Sequence, residues 1–337
     1  MALAAVRDID GDGLSDLLVG APRRAFLVQG MEAGGLDGLG GAYLFSGGTG
    51  ALLRTFTMDV ADESLVHGPW YGRRVAGAGD VDGDGAEDMA IASSGEAVVD
   101  LDGRADFHHP GVRKPFAIPW KMSDPLAAVK RDLSETATVG FVSIFNGKTG
   151  ALIRQLVGER PGDGFGCALA SLGDLDGDGR AELAVGAYAA EGGGRVGIFD
   201  GASGLRTHTL QGQQPACEFG YSLSNVGDLD QDGRADLAVG DPCAGRGVNR
   251  VGEVAILSGR DFSRIATLCE GHLDLNISDF GFAIAPLDLP GGQKGSLVVG
   301  AVNGGLAGMV FTYSGDGKEF KRRLHLAWDG LYGRPRK

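Results

Sequence analysis

Four short stretches of this sequence each carry carboxylates at relative positions 1, 3, 5 and 9. The first holds Asp8, Asp10, Asp12 and Asp16; the second Asp80, Asp82, Asp84 and Asp88. The third holds Asp174, Asp176, Asp178 and Glu182; the fourth Asp228, Asp230, Asp232 and Asp236. Acceptor-only oxygens at that spacing, with glycines at positions 4 and 6 to let the chain curl, form a hard-oxygen cage. The carbonyl at position 7 can add an oxygen, from Leu14, Ala86, Arg180 and Arg234. Calcium takes six to eight such oxygens in loose geometry, whereas magnesium keeps its waters and a strict octahedron. The expected cofactor is therefore calcium, at four sites. Gln231 replaces glycine at position 4 of the fourth loop, which that position should tolerate. A fifth copy keeps Asp288 but has Pro290, Gly292 and Ser296 at the next ligand positions, and should bind no metal.

These are not EF-hands, which need a bidentate Glu at position 12 between two helices. Position 12 here is Val19, Ile91, Val185 and Val239. Nor do they read as merely solvated acidic turns, because four converging carboxylates without a cation repel strongly. The formal net charge is -13. Four divalent ions would offset most of it, so the acidity reads as metal binding. An acidic chain is also a poor partner for nucleic acid, whose phosphates it would repel.

The elements that position these loops recur with them. An aromatic-Gly pair precedes each later loop: Tyr71-Gly72, Phe165-Gly166, Phe219-Gly220 and Phe280-Gly281. A short apolar run follows each loop, and then a segment of the type GAYLFSGGTGALLRTF, repeated as GFVSIFNGKTGALIRQL and GRVGIFDGASGLRTHTL. Each unit reads as four short strands, the first two flanking the acidic loop and the last two a glycine-containing hairpin turn. Four strands in about 50–60 residues is the size of one propeller blade. Sixty glycines in 337 residues suit so many turns, and no helical period runs through the repeats. The expected fold is all-β, a β-propeller of four-stranded antiparallel blades with five repeats, forming one domain over 1–337. The five either close as a ring or belong to a larger array.

Aromatic-Gly, then DxDGDGxxD, then Gly20-Ala21-Pro22 resembles the FG-GAP repeat. That repeat builds the propeller at the N-terminus of integrin α subunits and also occurs in bacterial secreted proteins. The resemblance covers nearly all of the chain outside one insertion. Its third element weakens to Gly186-Ala187-Tyr188, Gly240-Asp241-Pro242 and Gly300-Ala301-Val302, and is lost at Ser93-Ser94. Integrin propellers have seven blades where five repeats are found here. The resemblance implies a calcium-stabilised scaffold for adhesion or protein binding.

Strands that alternate direction put the 1–2 and 3–4 turns on one face and the 2–3 and 4–1 connections on the other. A protein or glycan ligand is expected on the second face, opposite the calcium loops, where the connections are longer. Residues 23–40, 58–70 and about 94–138 fall there, the last as an insertion in the second blade with a short helix from Ser123. His67, His108 and His109 with Asp106 could hold a transition metal. Adjacent histidines on an extended chain point to opposite sides, which favours a loop cap or a partner-binding patch. Trp70, Tyr71 and Trp120 could stack on sugars or simply pack. No nucleophile elbow, phosphate loop or dinucleotide fingerprint stands out, so no catalytic residues are assigned. The leading function is a non-catalytic calcium-binding scaffold for extracellular adhesion; the alternative is the propeller domain of a secreted carbohydrate-active or hydrolytic enzyme.

The four cysteines form no CxxC pair. Cys217 and Cys243 should reach the same end of one hairpin, close enough for a disulfide. Cys167 and Cys269 read as separate core residues. No apolar run reaches the ~18 residues that span a bilayer, and the first residues turn acidic too soon for a signal peptide. Plentiful extracellular calcium nonetheless favours secretion or the cell surface.

Overall fold

The computed structural model describes residues 2–22, 40–57, 71–94, 139–215, 217–246, 249–269, 279–289, 293–304, 307–315, 320–328 and 335–336. They form five successive antiparallel sheets, and no helix occurs among them. Blade 1 is β1 (Ala2–Val6), β2 (Asp16–Ala21), β3 (Gly41–Phe45) and β4 (Leu52–Phe56). Blade 2 is β5 (Arg74–Gly79), β6 (Asp88–Ser93), β7 (Phe141–Phe145) and β8 (Leu152–Val157). Blade 3 is β9 (Phe165–Gly173), β10 (Glu182–Ala187), β11 (Arg195–Phe199) and β12 (Arg206–Gln211). Blade 4 is β13 (Ser222–Asn225), β14 (Leu237–Asp241), β17 (Glu253–Leu257) and β18 (Arg264–Leu268). A small hairpin, β15 (Gly245–Arg246) and β16 (Asn249–Arg250), lies within the β14–β17 connection. Blade 5 is β19 (Phe280–Leu289), β20 (Gln293–Gly304), β21 (Ala307–Gly315) and β22 (Phe320–Trp328). It gains a fifth strand not anticipated from the repeat, β23 (Pro335–Arg336), paired to β22.

Each blade is a simple meander whose strands pair in chain order, with the β15–β16 hairpin set outside the blade 4 sheet. The first strands of consecutive blades lie side by side, β1 by β5, β5 by β9, β9 by β13 and β13 by β19. The fourth strands are outermost, and β12 is exposed along most of its length. This is the β-propeller arrangement. Second strands sit between two neighbouring blades, so they need apolar side chains on both faces. β6, β10 and β14 are accordingly buried throughout. Four apolar clusters fill the spaces between successive blades, each drawing on both partners.

The aromatic-Gly pair and the Gly-Ala element turn out to be two halves of one seam. Gly20 lies against Gly72 of the next blade, Gly186 against Gly220, and Gly240 against Gly281. A Cβ on Gly20, Gly186 or Gly240 would fall 2.0–2.1 Å from the facing glycine's carbonyl oxygen. The aromatic beside that facing glycine is buried: Tyr71 is 1% exposed, Phe219 4% and Phe280 0%. Its backbone bridges to the residue just ahead of the previous blade's third strand, as Gly40 to Tyr71, Gly194 to Phe219 and Gly252 to Phe280. Where the element is lost, Ala92 takes the glycine position and faces Gly166, and that seam is correspondingly wider.

The ends of the row differ from its middle. Leu17 is 41% exposed, while Met89, Leu183, Leu237 and Leu297 at the same repeat position are at most 1% exposed. Val310 is 41% exposed, while Ala42, Val142, Val196 and Val254 are at 0%. Position 10 faces the preceding blade and the Val310 position the following one. No described residue covers either face at the two ends.

The expected Cys217–Cys243 bridge is not formed. Both side chains are buried, but the Cys217 Sγ points to the Cys243 carbonyl oxygen at 3.8 Å. Cys167 is buried as expected, whereas Cys269 is exposed rather than part of a core. Residues 23–39, 58–70 and 95–138 fall between β2 and β3, β4 and β5, and β6 and β7. They carry His67, Trp70, Asp106, His108, His109, Trp120 and the expected helix from Ser123, and lie outside the described residues.

The seam makes a direct prediction. Gly186→Ala should cost about 1–3 kcal/mol through overpacking. Urea unfolding at fixed calcium measures it, and an unchanged midpoint would show that the blades can move apart freely.

Candidate metal centres

Each acidic loop is organised by its own carboxylates. The first aspartate accepts backbone N–H groups from the turn it opens. Asp8 takes Gly11 at 2.6 Å and Gly13 at 2.7 Å; Asp80 takes Gly83 at 2.7 Å and Gly85 at 2.8 Å. Asp174 takes Gly177 at 2.6 Å and Gly179 at 2.9 Å, and Asp228 takes Asp232 at 3.0 Å and Gly233 at 2.9 Å. These donors hold the Asp8 carboxyl below its usual range, the Gly13 N–H most of all. Such curling puts position 4 in the left-handed region, with φ of 83° at Gly11, 80° at Gly83 and 88° at Gly177. Gln231 adopts φ 65° at the same place. An unbranched residue can do so at a cost of roughly 1–2 kcal/mol.

The position-9 acid is the anchor. Asp16 is 1% exposed, Asp88 0%, Glu182 4% and Asp236 0%. One oxygen of each accepts the N–H of position 2: Ile9 at 2.9 Å, Val81 at 2.8 Å, Leu175 at 2.5 Å and Leu229 at 2.7 Å. In the three aspartate loops the other oxygen reaches the 3–4 turn. It accepts Gly47 at 2.9 Å, Gly147 at 3.0 Å and Gly259 at 2.9 Å. One side chain thus ties the loop, the start of the second strand and the 3–4 hairpin. This also confirms that the 1–2 and 3–4 turns adjoin. Burial raises the Asp88 carboxyl to about 6, and it raises those of Glu182 and Asp236 as well.

Positions 1, 3 and 9 converge in all four loops. Asp8, Asp10 and Asp16 offer oxygens within 4.8 Å of one another, as do Asp80, Asp82 and Asp88; Asp174, Asp176 and Glu182; and Asp228, Asp230 and Asp236. The donor set is all carboxylate, without nitrogen or sulfur, which fits a hard cation. Position 5 behaves differently. One oxygen of Asp12, Asp84, Asp178 and Asp232 accepts the N–H of position 7, namely Leu14, Ala86, Arg180 and Arg234, at 2.8–2.9 Å. In three loops the other oxygen leans toward the 3–4 turn. It accepts Ser46 Oγ at 3.1 Å, Asn146 Nδ2 at 2.9 Å and Ser258 Oγ at 3.3 Å. Asn146 is the main reason that the Asp84 carboxyl is held below its usual range.

The sequence reading missed these turn residues. Their signal was present, since Ser46, Asn146, Asp200 and Ser258 all follow the third strand directly and precede a glycine. In the fifth copy, β19 and β20 run on as a hairpin to the pair Leu289–Gln293, and Ser296 stands buried at position 9.

Comparison with known proteins places this geometry. The FG-GAP repeat matches residues 1–45, 168–199 and 219–257, so the chain carries FG-GAP repeats in a β-propeller. It is similar to human integrin alpha-7, with 38% identity over 164 residues, covering 44% of this chain and 13% of that protein. It is also similar to integrin alpha-4 of Xenopus laevis, at 28% over 194 residues, covering 56% and 14% respectively. A third relative is integrin alpha-V of Gallus gallus, at 34% over 134 residues, covering 36% and 13%. The chain therefore aligns with about one seventh of the length of these relatives. Its repeats are similar to those of integrin α subunits.

The buried acids set a pH dependence. Without metal, Asp88 has a folded pKa of about 6, above the ~3.9 of an unfolded aspartate. Its protonated form therefore adds stability at low pH, and that contribution is lost as pH rises through about 6. A bound cation favours the ionised form instead. The calcium-induced rise in Tm should be larger at about pH 7 than at about pH 5. Melting curves with and without calcium check this, and equal rises at both pH values would contradict it.

Proposed function

We propose that this chain is a calcium-stabilised, non-catalytic propeller scaffold, secreted or displayed at the cell surface. It would present a protein or glycan ligand-binding face opposite the calcium loops. The observation that carries the reading is the fourfold recurrence of a buried anchoring acid beside two further carboxylates. Such a group is costly unless a cation compensates it. Calcium is favoured over magnesium because the Asp12, Asp84, Asp178 and Asp232 side chains and the position-7 carbonyls can bring each set to five protein oxygens, which water would complete to the six to eight that calcium takes in loose geometry.

The similarity to integrin α subunits supports an adhesion role. The long connections at 23–39, 58–70 and 95–138 would form the ligand face. A glycan array and a protein-binding screen, each with and without chelator, identify the ligand class.

Mass action sets the size of the calcium effect. At about tenfold the Kd, one site adds about 1.4 kcal/mol, and four add about 6 kcal/mol. That is comparable to the whole stability of many domains, roughly 5–15 kcal/mol. Chelation should lower Tm by on the order of 10 °C, and calcium should restore it where magnesium at equal concentration does not. An unchanged Tm in chelator would remove the cation from the account.

A further inference from the structure

Neighbouring acidic loops do not all meet in the same way. The loops of blades 2 and 3 touch directly. The Ala181 N–H, at position 8 of the third loop, donates to the Asp80 carbonyl oxygen, at position 1 of the second, at 2.8 Å. Ala181 is 5% exposed. It stands between Arg180, whose carbonyl is a candidate ligand, and Glu182, the anchoring acid. Gly79 lets the two loops come this close, since a Cβ there would fall 2.4 Å from the Ala181 Cβ. The Arg180 side chain also lies over Gly83, its Nε 3.5 Å from where a Cβ would stand. On its other side Ala181 packs on the 3–4 turn of its own blade. A Cβ on Gly201 would fall 2.4 Å from the Ala181 carbonyl oxygen. Arg154 of blade 2 reaches that same turn, donating from Nη2 to the Ala202 carbonyl at 2.9 Å. Blade 2 therefore holds the third loop at its backbone and at the hairpin behind it.

The junction of the third and fourth loops lacks this contact. Gly173 and Ala235 are the equivalent residues there. A Cβ on Gly173 would have nothing within 4 Å. No bond from the Ala235 N–H to the Asp174 carbonyl forms among the described residues. Blades 3 and 4 are joined through their first strands instead, Asn225 Nδ2 donating to the Ser171 carbonyl at 2.9 Å. The first and second loops meet through a side chain, the Arg7 N–H donating to Glu87 Oε2.

We propose that the second and third loops bind calcium cooperatively, coupled by the Asp80–Ala181 hydrogen bond, and that the fourth loop fills independently of the second. The proposal rests on the cation-binding reading of the loops and adds a coupling which that reading does not require. Each loop has two states. With a cation, the acids at positions 1, 3 and 9 are drawn together, and the Asp80 carbonyl is fixed in direction. Without one, repulsion among the acids loosens the turn, and the Ala181 N–H loses its fixed acceptor. A third loop ordered by its own cation returns the same hydrogen bond to the second. Coupling between two binding sites is reciprocal, so each raises the other's affinity by the same factor. A hydrogen bond made in one state only is worth a factor of roughly two to ten.

The test follows backbone amide exchange of the full chain across a calcium titration, loop by loop. Asp82→Asn weakens the second site. In that variant the calcium concentration that half-protects the Gly177 and Gly179 amides should rise about two- to tenfold, while that for Gly233 in the fourth loop stays fixed. Asp176→Asn, in the third loop, should raise the half-protecting concentration at Gly83 and Gly85 by the same factor. Circular dichroism verifies the fold of both variants. The unaltered chain supplies a reading that needs no substitution: protection of the second and third loops should rise more steeply with calcium than that of the fourth. Unshifted midpoints in both variants, or an equal shift in the fourth loop, would overturn the coupling while leaving the cation-binding reading standing. No calcium dependence at any loop amide of the unaltered chain would overturn both.

Discussion

Mutual repulsion among carboxylates is the constraint on which the rest of this structure depends. At each of four inner turns, three or more acidic side chains converge within a few ångström, and one of them is almost fully buried. Hydrogen bonds from backbone N–H groups offset part of that cost and fix the shape of the loop. They do not remove the net charge. The side chain that suffers most from burial is also the one that joins the loop to the adjoining hairpin. The local order of each blade and the pressure to bind a cation thus reside in the same residue.

Between blades the governing constraint is steric. Backbones cross at glycine pairs so closely that a single methyl group would collide with a carbonyl. The buried aromatic beside each pair then fills the space that the close approach creates. This explains why the aromatic-Gly pair and the Gly-Ala element recur in step although they are far apart in sequence: each acts on the neighbouring unit, not its own. Blade 2, with Ala92 in place of glycine, shows the spacing adjusting to one extra carbon. The exposed Leu17 and Val310 show what the same positions look like with no described residue packed over them. Repeat architectures divide stability into units and interfaces in this way.

Much of this was legible in the sequence because the determinants are local and repeated. The acidic spacing gave the loops, the apolar runs gave the second strands, and the hairpin glycines gave the outer pair. The opposition of Gly20 to Gly72 was not legible, since facing backbones in different blades leave no periodic signature. Nor was the division of labour among the acids, which the sequence treated as equivalent ligands. Position 9 anchors, position 1 shapes the turn, and position 5 leans toward a residue some 20 to 60 positions further along. The extra strand β23 and the direction of the Cys217 thiol depend on tertiary context that a linear reading does not contain.

The central claim is that cations at the inner turns hold each of the first four blades together, while the fifth blade manages without one. Native-state amide hydrogen exchange with and without calcium tests it within one molecule. Removal of calcium should lower protection at the position-2, -4 and -6 amides of the four acidic loops and in the second strands they anchor, while leaving the β19–β20 hairpin largely unchanged. Equal loss of protection in all five blades, or no loss in the first four, would contradict the account.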